Sequence, residues 1–353
     1  MDIIRASTTS MFSVQEEIND TCPDFDPTAG ELFATIGDHP GLLSILVVCS
    51  IITLVECVLF CEAAHYVSIK IPYTDRRNCI IWILGIYPVF CLSSLLGLYI
   101  PRSAVLCNLT ASVYFSVCLY QFFILIIDYY GGHSSILMQM SHIEVSLRSP
   151  PIGCFFPCLP TFKMTEKNFL RIKIAVFQCA LLRPSVLFIT EVLWLNGTYV
   201  PGSLNADEAF LWINIITLIS TIIAIYAFIM FYRASREPLH GYKLTPKFIV
   251  VQMALICSNI QIILLGILAL TDVIPCEDPF PSDSRHNQWQ CTILTLESAI
   301  IFPFVLKFFR TRNGNVVSIL GNDRVKEVRN GHTSLRRSQS TDSMVYGNTY
   351  VTL

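Results

Sequence analysis

Arg183 stands near the middle of an unbroken run of apolar residues, Ile172 to Leu195, and Pro184 follows it directly. A guanidinium is a planar fork of donors made for an anion, so the residue either meets the anionic group of a solute or ties itself to a carboxylate of the protein. Glu297, in the apolar run from Cys291 to Phe309, is the carboxylate within reach of the second use. Either use answers one demand, because an ionised side chain inside hydrocarbon costs roughly 2.5 to 3.5 kcal/mol. Pro184 removes a backbone hydrogen bond where the cation sits and loosens the helix there. Gln178, Asn214, Gln252, Asn259 and Gln261 also interrupt apolar runs, where they serve as solute contacts or as interhelical hydrogen bonds. Taken with Arg183 and Glu297, they place the expected substrate-binding residues at Arg183, Glu297, Gln178, Asn214, Gln252 and Asn259, in a polar interior enclosed by the last four runs. Glu56 and Glu191 lie closer to the ends of their runs and are expected to reach the interface.

A second chemistry belongs to Cys154 and Cys158 in the stretch GCFFPCLP. Two thiolates are half of a zinc site, and no Cys or His pair nearby supplies the rest, so no metal is expected. Which remaining use applies depends on the compartment that the stretch faces, and that depends on the elements around it.

Of 353 residues, 53% are hydrophobic and 14% charged, with a mean hydropathy of +0.56, a composition suited to lipid. Seven runs reach the roughly 20 residues that a helix needs to cross a bilayer: Leu42 to Cys61, Cys79 to Ile100, Ala104 to Ile127, Ile172 to Leu195, Ala209 to Tyr232, Phe248 to Leu270, and Cys291 to Phe309. Each is continuously apolar instead of alternating, which favours helices over barrel strands. The expected fold is an all-α integral membrane protein, a bundle of seven transmembrane helices. Residues 1–41 are expected to form an acidic arm outside, residues 42–310 the seven-helix transmembrane domain with a Cys/Pro loop at 131–171, and residues 311–353 a polar, disordered cytoplasmic tail.

The arm holds no signal-peptide-like run, so the first span is expected to start insertion. Of the 24 lysines and arginines, Arg5, Arg102 and Arg285 fall on one side, Arg183 falls inside, and the remainder fall on the other side. The positive-inside rule then puts the N-terminus outside and the C-terminus in the cytoplasm. On the outer side, Asn19 and Asn196 sit in glycosylation sequons, and a third sequon at Asn108 lies too close to a span to be reached easily. Cys276 and Cys291 bracket the last outer loop and are expected to close it as a disulfide. The other cysteines lie mostly within spans, where thiols act as small apolar groups. Cys154 and Cys158 fall on the reducing side. With Phe155 and Phe156 between them and Lys163, Lys167 and Arg171 beyond, they are either palmitoylated at the membrane interface or unmodified in an irregular loop. Arg336-Arg337-Ser338-Gln339-Ser340 in the tail is either a basic-directed kinase site or incidental.

No paired His, Gly-rich phosphate loop or metal-ligand spacing is present, so an enzyme is not expected, nor a cofactor or a nucleic-acid partner. A seven-span receptor, or a membrane scaffold or trafficking protein without transport activity, is the alternative. Asp128-Tyr129-Tyr130 lacks the receptor triad's central arginine, and Phe302-Pro303-Phe304 lacks its Asn-Pro.

Several short motifs, in order, carry a resemblance: Ile100-Pro101-Arg102-Ser103, Asp128-Tyr129-Tyr130-Gly131-Gly132, the Cys/Pro stretch, Phe177-Gln178, Leu211-Trp212-Ile213-Asn214, Lys247-Phe248 with Gln252, and Leu296-Glu297. Over about residues 42–310 the chain resembles the organic solute transporter subunit alpha family, related to the transmembrane protein 184 group. Arg183-Pro184 looks closer to the latter branch. The resemblance implies facilitated, bidirectional movement of amphipathic organic anions such as bile acids and steroid conjugates. It implies a single-span beta-type subunit as partner, a plasma-membrane location, and a palmitoylated Cys-rich loop. Membrane lipid and a further copy of the chain complete the expected partners.

Overall fold

The computed structural model describes residues 26–140, 144–148, 160–199, 207, 209–270, 280–312 and 314–316. Seven helices in it are long and apolar enough to cross a membrane. Span 1 is Pro40–Lys70, span 2 Thr74–Tyr99, span 3 Pro101–Tyr129, span 4 Glu166–Leu195, span 5 Ala209–Ser235, span 6 Leu244–Leu268 and span 7 Ser284–Phe309. The all-α seven-span bundle expected from the sequence is the fold.

The helices overrun the apolar runs at their polar ends. Span 1 starts on Pro40, which already has the helical φ and lacks only an amide that the first turn does not use. It continues past Cys61 through nine residues free of Gly and Pro and stops at Ile71, just before Pro72. That extension moves Glu56 from near an end to the middle of the helix, so the expectation that it reaches the interface fails: it is buried at 3% exposure. Span 2 breaks at Gly85 into Thr74–Leu84 and Ile86–Tyr99. A Cβ at Gly85 would collide with the Tyr114 hydroxyl, which donates to the Trp82 carbonyl at 2.9 Å. Pro184 and Pro303 lie inside continuous helices.

Burial separates central from peripheral helices. In span 2, 67% of the most apolar stretch is buried, and in span 3, 56%, against 22% in span 1 and 17% in span 4. Span 2 packs on spans 1, 3 and 7, span 3 on span 4, span 4 on span 5, and span 6 on span 7. Phenylalanines fill the junction: Phe123 meets Phe231 at 4.5 Å between ring centroids, and Phe122 meets Phe228 at 5.5 Å and Phe309 at 6.2 Å.

Between spans 3 and 4 lie a short helix, His133–Met140, and an antiparallel pair of strands, β1 (Glu144–Ser146) and β2 (Thr161–Lys163), with Val145 opposite Phe162. Cys154 and Cys158 fall between these strands, outside the described residues. Asn19 and Cys276 lie outside them too. Cys291 is a buried free thiol in span 7. Asn196 caps the end of span 4 and is exposed, with Gly197 at φ +73 closing the turn. Lys70, Arg76, Lys163, Arg233, Lys243 and Arg310 gather at one end of the bundle, the basic end.

Candidate functional site

Span 4 offers Arg183 and Gln178 to span 5. Gln178 is saturated by one residue: its Nε2 donates to the Ser220 carbonyl at 2.9 Å and its Oε1 accepts from the Ser220 hydroxyl at 2.8 Å. That reciprocal pair makes Gln178 interhelical glue. Arg183 is half-buried, and its Nη2 donates to Thr221 Oγ1 at 2.7 Å. Thr221 in turn donates to the Thr217 carbonyl at 2.7 Å, so the neutral hydroxyl is fully used. Among the described residues no carboxylate lies within ion-pair distance of Arg183. Besides Thr221 the guanidinium has the Cys179 thiol, one turn earlier on span 4, beside it, and both partners are uncharged hydrogen-bonding groups. Asn214, Thr217 and Thr221 recur at i, i+3 and i+7, which aligns them on one stripe of span 5 beside the guanidinium.

The other expected residues scatter. Asn214 and Asn259 are exposed on spans 5 and 6, and each amide folds back on the carbonyl four residues earlier, of Phe210 at 2.8 Å and Leu255 at 2.7 Å. Gln252 is buried in span 6 with its Nε2 unpartnered, and both amide atoms of Gln261 are unpartnered as well. Glu297 is half-buried in span 7, and among the described residues no ion pair joins it to Arg183. The Tyr87 hydroxyl donates to the Val250 carbonyl at 2.6 Å and so links span 2 to span 6. Glu56 Oε2 accepts from Ser298 Oγ at 2.9 Å, while Glu56 Oε1 and Glu297 Oε2 are buried without partners. Glu56 thus ties span 1 to span 7, whereas Arg183 is on the flank of spans 4 and 5. The residues expected to share one polar interior in spans 4 to 7 thus lie in separate places in the bundle.

Spans 5 and 6 are consecutive, yet they meet mainly at the basic end, where Phe248 stacks on Tyr232 at 3.8 Å and on Phe228 at 5.5 Å. Elsewhere, among the described residues, their backbones do not approach closely. Phe177, Leu181 and Phe188 are exposed apolar side chains of span 4 on a face turned away from Arg183. A guanidinium with free donors in an apolar span can take the head of an amphipathic anion.

The densest buried polar network lies elsewhere, at the basic end. Arg76 Nε pairs with Asp128 Oδ2 at 2.5 Å, and its Nη1 donates to the Asn315 carbonyl at 2.6 Å. Lys247 is fully buried and donates to the Tyr129 hydroxyl at 2.8 Å, the Gly314 carbonyl at 2.7 Å and Asn315 Oδ1 at 2.6 Å. Tyr129 stacks on Tyr242 at 4.4 Å, and the Arg76 guanidinium lies over both rings. Asn315 Nδ2 closes the network on the Phe309 carbonyl at 2.7 Å. Spans 2, 3, 6 and 7 are locked together by residues that continue past 310, beyond the polar boundary expected from composition. Asp128-Tyr129 and Lys247 stood in the motifs that carried the resemblance, without this role being readable from them.

A seven-span helical membrane bundle, with a half-buried arginine in mid-span and a polar lock at one end, defines the class. The family described as organic solute transporter Ostalpha matches residues 45–313, so the chain belongs to that family. It is 31% identical to an organic solute transporter subunit alpha of Danio rerio over 243 residues, 69% of this chain and 74% of the relative. With the subunit alpha of Homo sapiens it is 25% identical over 299 residues, 85% of this chain and 87% of the relative. A transmembrane protein 184 homologue of Dictyostelium discoideum is 27% identical over 222 residues, 62% of this chain and 42% of the relative. No solved structure matches the chain. The chain is a multi-pass membrane protein of a solute-transporter family.

Proposed function

We propose that this chain is the alpha-type subunit of a facilitative carrier that moves amphipathic organic anions, such as bile acids and steroid conjugates, across the plasma membrane together with a single-span beta-type subunit. The observation that carries the reading is Arg183: a half-buried guanidinium in mid-span whose partners among the described residues are the Thr221 hydroxyl and the Cys179 thiol, with no carboxylate in ion-pair distance. A cation held in hydrocarbon without a protein anion is matched by a transient one from the solute. The absence, among the described residues, of a carboxylate within ion-pair distance of Arg183 supports the same reading.

The direct test is uptake and efflux of labelled taurocholate and a steroid sulfate in cells expressing the chain with and without a beta-type subunit. Flux in both directions is expected when the two are expressed together. Absence of flux for both solutes, with both proteins at the surface, overturns the reading.

The gathering of cations at one end carries a topology with the N-terminus outside and the C-terminus in the cytoplasm. A C-terminal epitope tag is then expected to be stained only after permeabilisation, and an N-terminal tag in intact cells. The opposite staining reverses the topology and with it the direction assigned to every loop.

A further inference from the structure

At the basic end, where spans 1, 6 and 7 leave the bundle, Tyr66, Lys243, Lys307, Phe308, Thr311 and Arg312 surround a cavity of about 500 Å³. Three of the six are cations and none is an acid. The neighbouring Arg310 is already committed, paired with Glu62 and lying 4.8 Å over the Tyr66 ring. Lys243, Lys307 and Arg312 have no ion-pair partner among the described residues. Three positive charges converging on one concave site without compensation repel one another unless an anion joins them. Lys243 is further held at φ +50, a left-handed conformation uncommon for a residue with a side chain. Such backbone strain gathers at sites that grip a ligand.

The depth of the cavity points to the ligand's source. Tyr66 lies one turn before the end of span 1, Lys307 within the last turn of span 7, and Lys243 directly before span 6. That is the level at which lipid headgroups meet a helix bundle, with aromatic Tyr66 and Phe308 suited to the interface. A volume of this size takes an inositol phosphate headgroup. We propose that this cavity is a binding site for a multiply charged phosphate group, supplied by a phosphoinositide of the adjoining leaflet. The site is separate from the Arg183 flank and does not depend on the transported solute. Because Gly314 of the lock packs against Lys243, occupancy also steadies the segment that holds Lys247 and Arg76.

The test uses the purified full-length chain in detergent with fluorescent dioctanoyl phosphatidylinositol 4,5-bisphosphate, read by anisotropy. Lys307→Gln combined with Arg312→Gln, and separately Lys243→Asn, whose replacement tolerates the left-handed backbone, are expected to raise the Kd about tenfold per cation removed. Lys167→Gln with Arg171→Gln removes two exposed cations from the start of span 4 and is expected to leave the Kd within about twofold. Competition by unlabelled lipid but not by inositol 1,4,5-trisphosphate supports a membrane source. Equal competition by both supports the phosphate site but overturns its assignment to the membrane. An unchanged Kd in the cavity variants, or an equal loss in the control pair, overturns the site itself.

Discussion

Replacing Arg76 by Met is expected to destabilise the folded chain by about 3 kcal/mol, the lower end of the range for breaking a buried ion pair. The lower end applies because the Asp128 side chain keeps 27% exposure, so water partly replaces the lost guanidinium. The loss is still large, since one side chain holds the Asp128 carboxylate and backbone carbonyl, the Asn315 carbonyl and the faces of Tyr73, Tyr129 and Tyr242. Asp128→Asn in the same chain removes the stranded charge and is expected to recover about 1 kcal/mol or more, a non-additivity diagnostic of direct contact. Arg310→Gln is the contrast. Its pair with Glu62 is exposed at 39% and 51%, and its loss should cost under about 1 kcal/mol. Melting of the purified variants, read beside the fraction reaching the cell surface, checks all three. An Arg76→Met protein as stable as the Arg310→Gln protein contradicts the assignment of the basic-end network as the lock.

How far the sequence can be read depends on which interactions are local. Seven spans were legible because each is an uninterrupted apolar run, and lipid imposes that pattern along the chain. Their ends were not, because the polar continuation Glu62 to Lys70 is helix-competent and nothing stops it before Ile71. Glu56 moved to mid-helix for that reason alone. The Arg183 cation was legible from its position in span 4, but its partner was not: Thr221 is 38 positions away and looks like any other hydroxyl. Asn214, Gln252 and Asn259 looked alike as polar interruptions. Rotation of each helix about its own axis decides that Gln252 is buried and the two asparagines are exposed, and packing sets that rotation. The lock was the least legible feature, since Arg76 and Asn315 meet across 239 positions and Lys247 reads as one more basic residue flanking a span.

Arg183→Met is expected to cut anion flux to about a tenth or less of the parent's, with surface protein unchanged. Charge-assisted hydrogen bonds contribute about 1.5 to 3 kcal/mol each, so losing the proposed contact to the solute's anionic head is at least a tenfold effect. Surface delivery survives because the substitution strands no charge: Thr221 keeps its own bond to the Thr217 carbonyl, and the missing donor costs about 1 kcal/mol. Arg183→Lys keeps a point charge without the planar fork, and intermediate flux is expected. The measurement that bears most directly on the proposed carrier function is therefore taurocholate flux per molecule of surface protein in the parent, Arg183→Met, and Arg183→Met with Glu297→Gln. The account predicts normal surface levels and lost flux in both variants. Retention of Arg183→Met inside the cell, relieved by Glu297→Gln, or parental flux at parental surface levels, contradicts it.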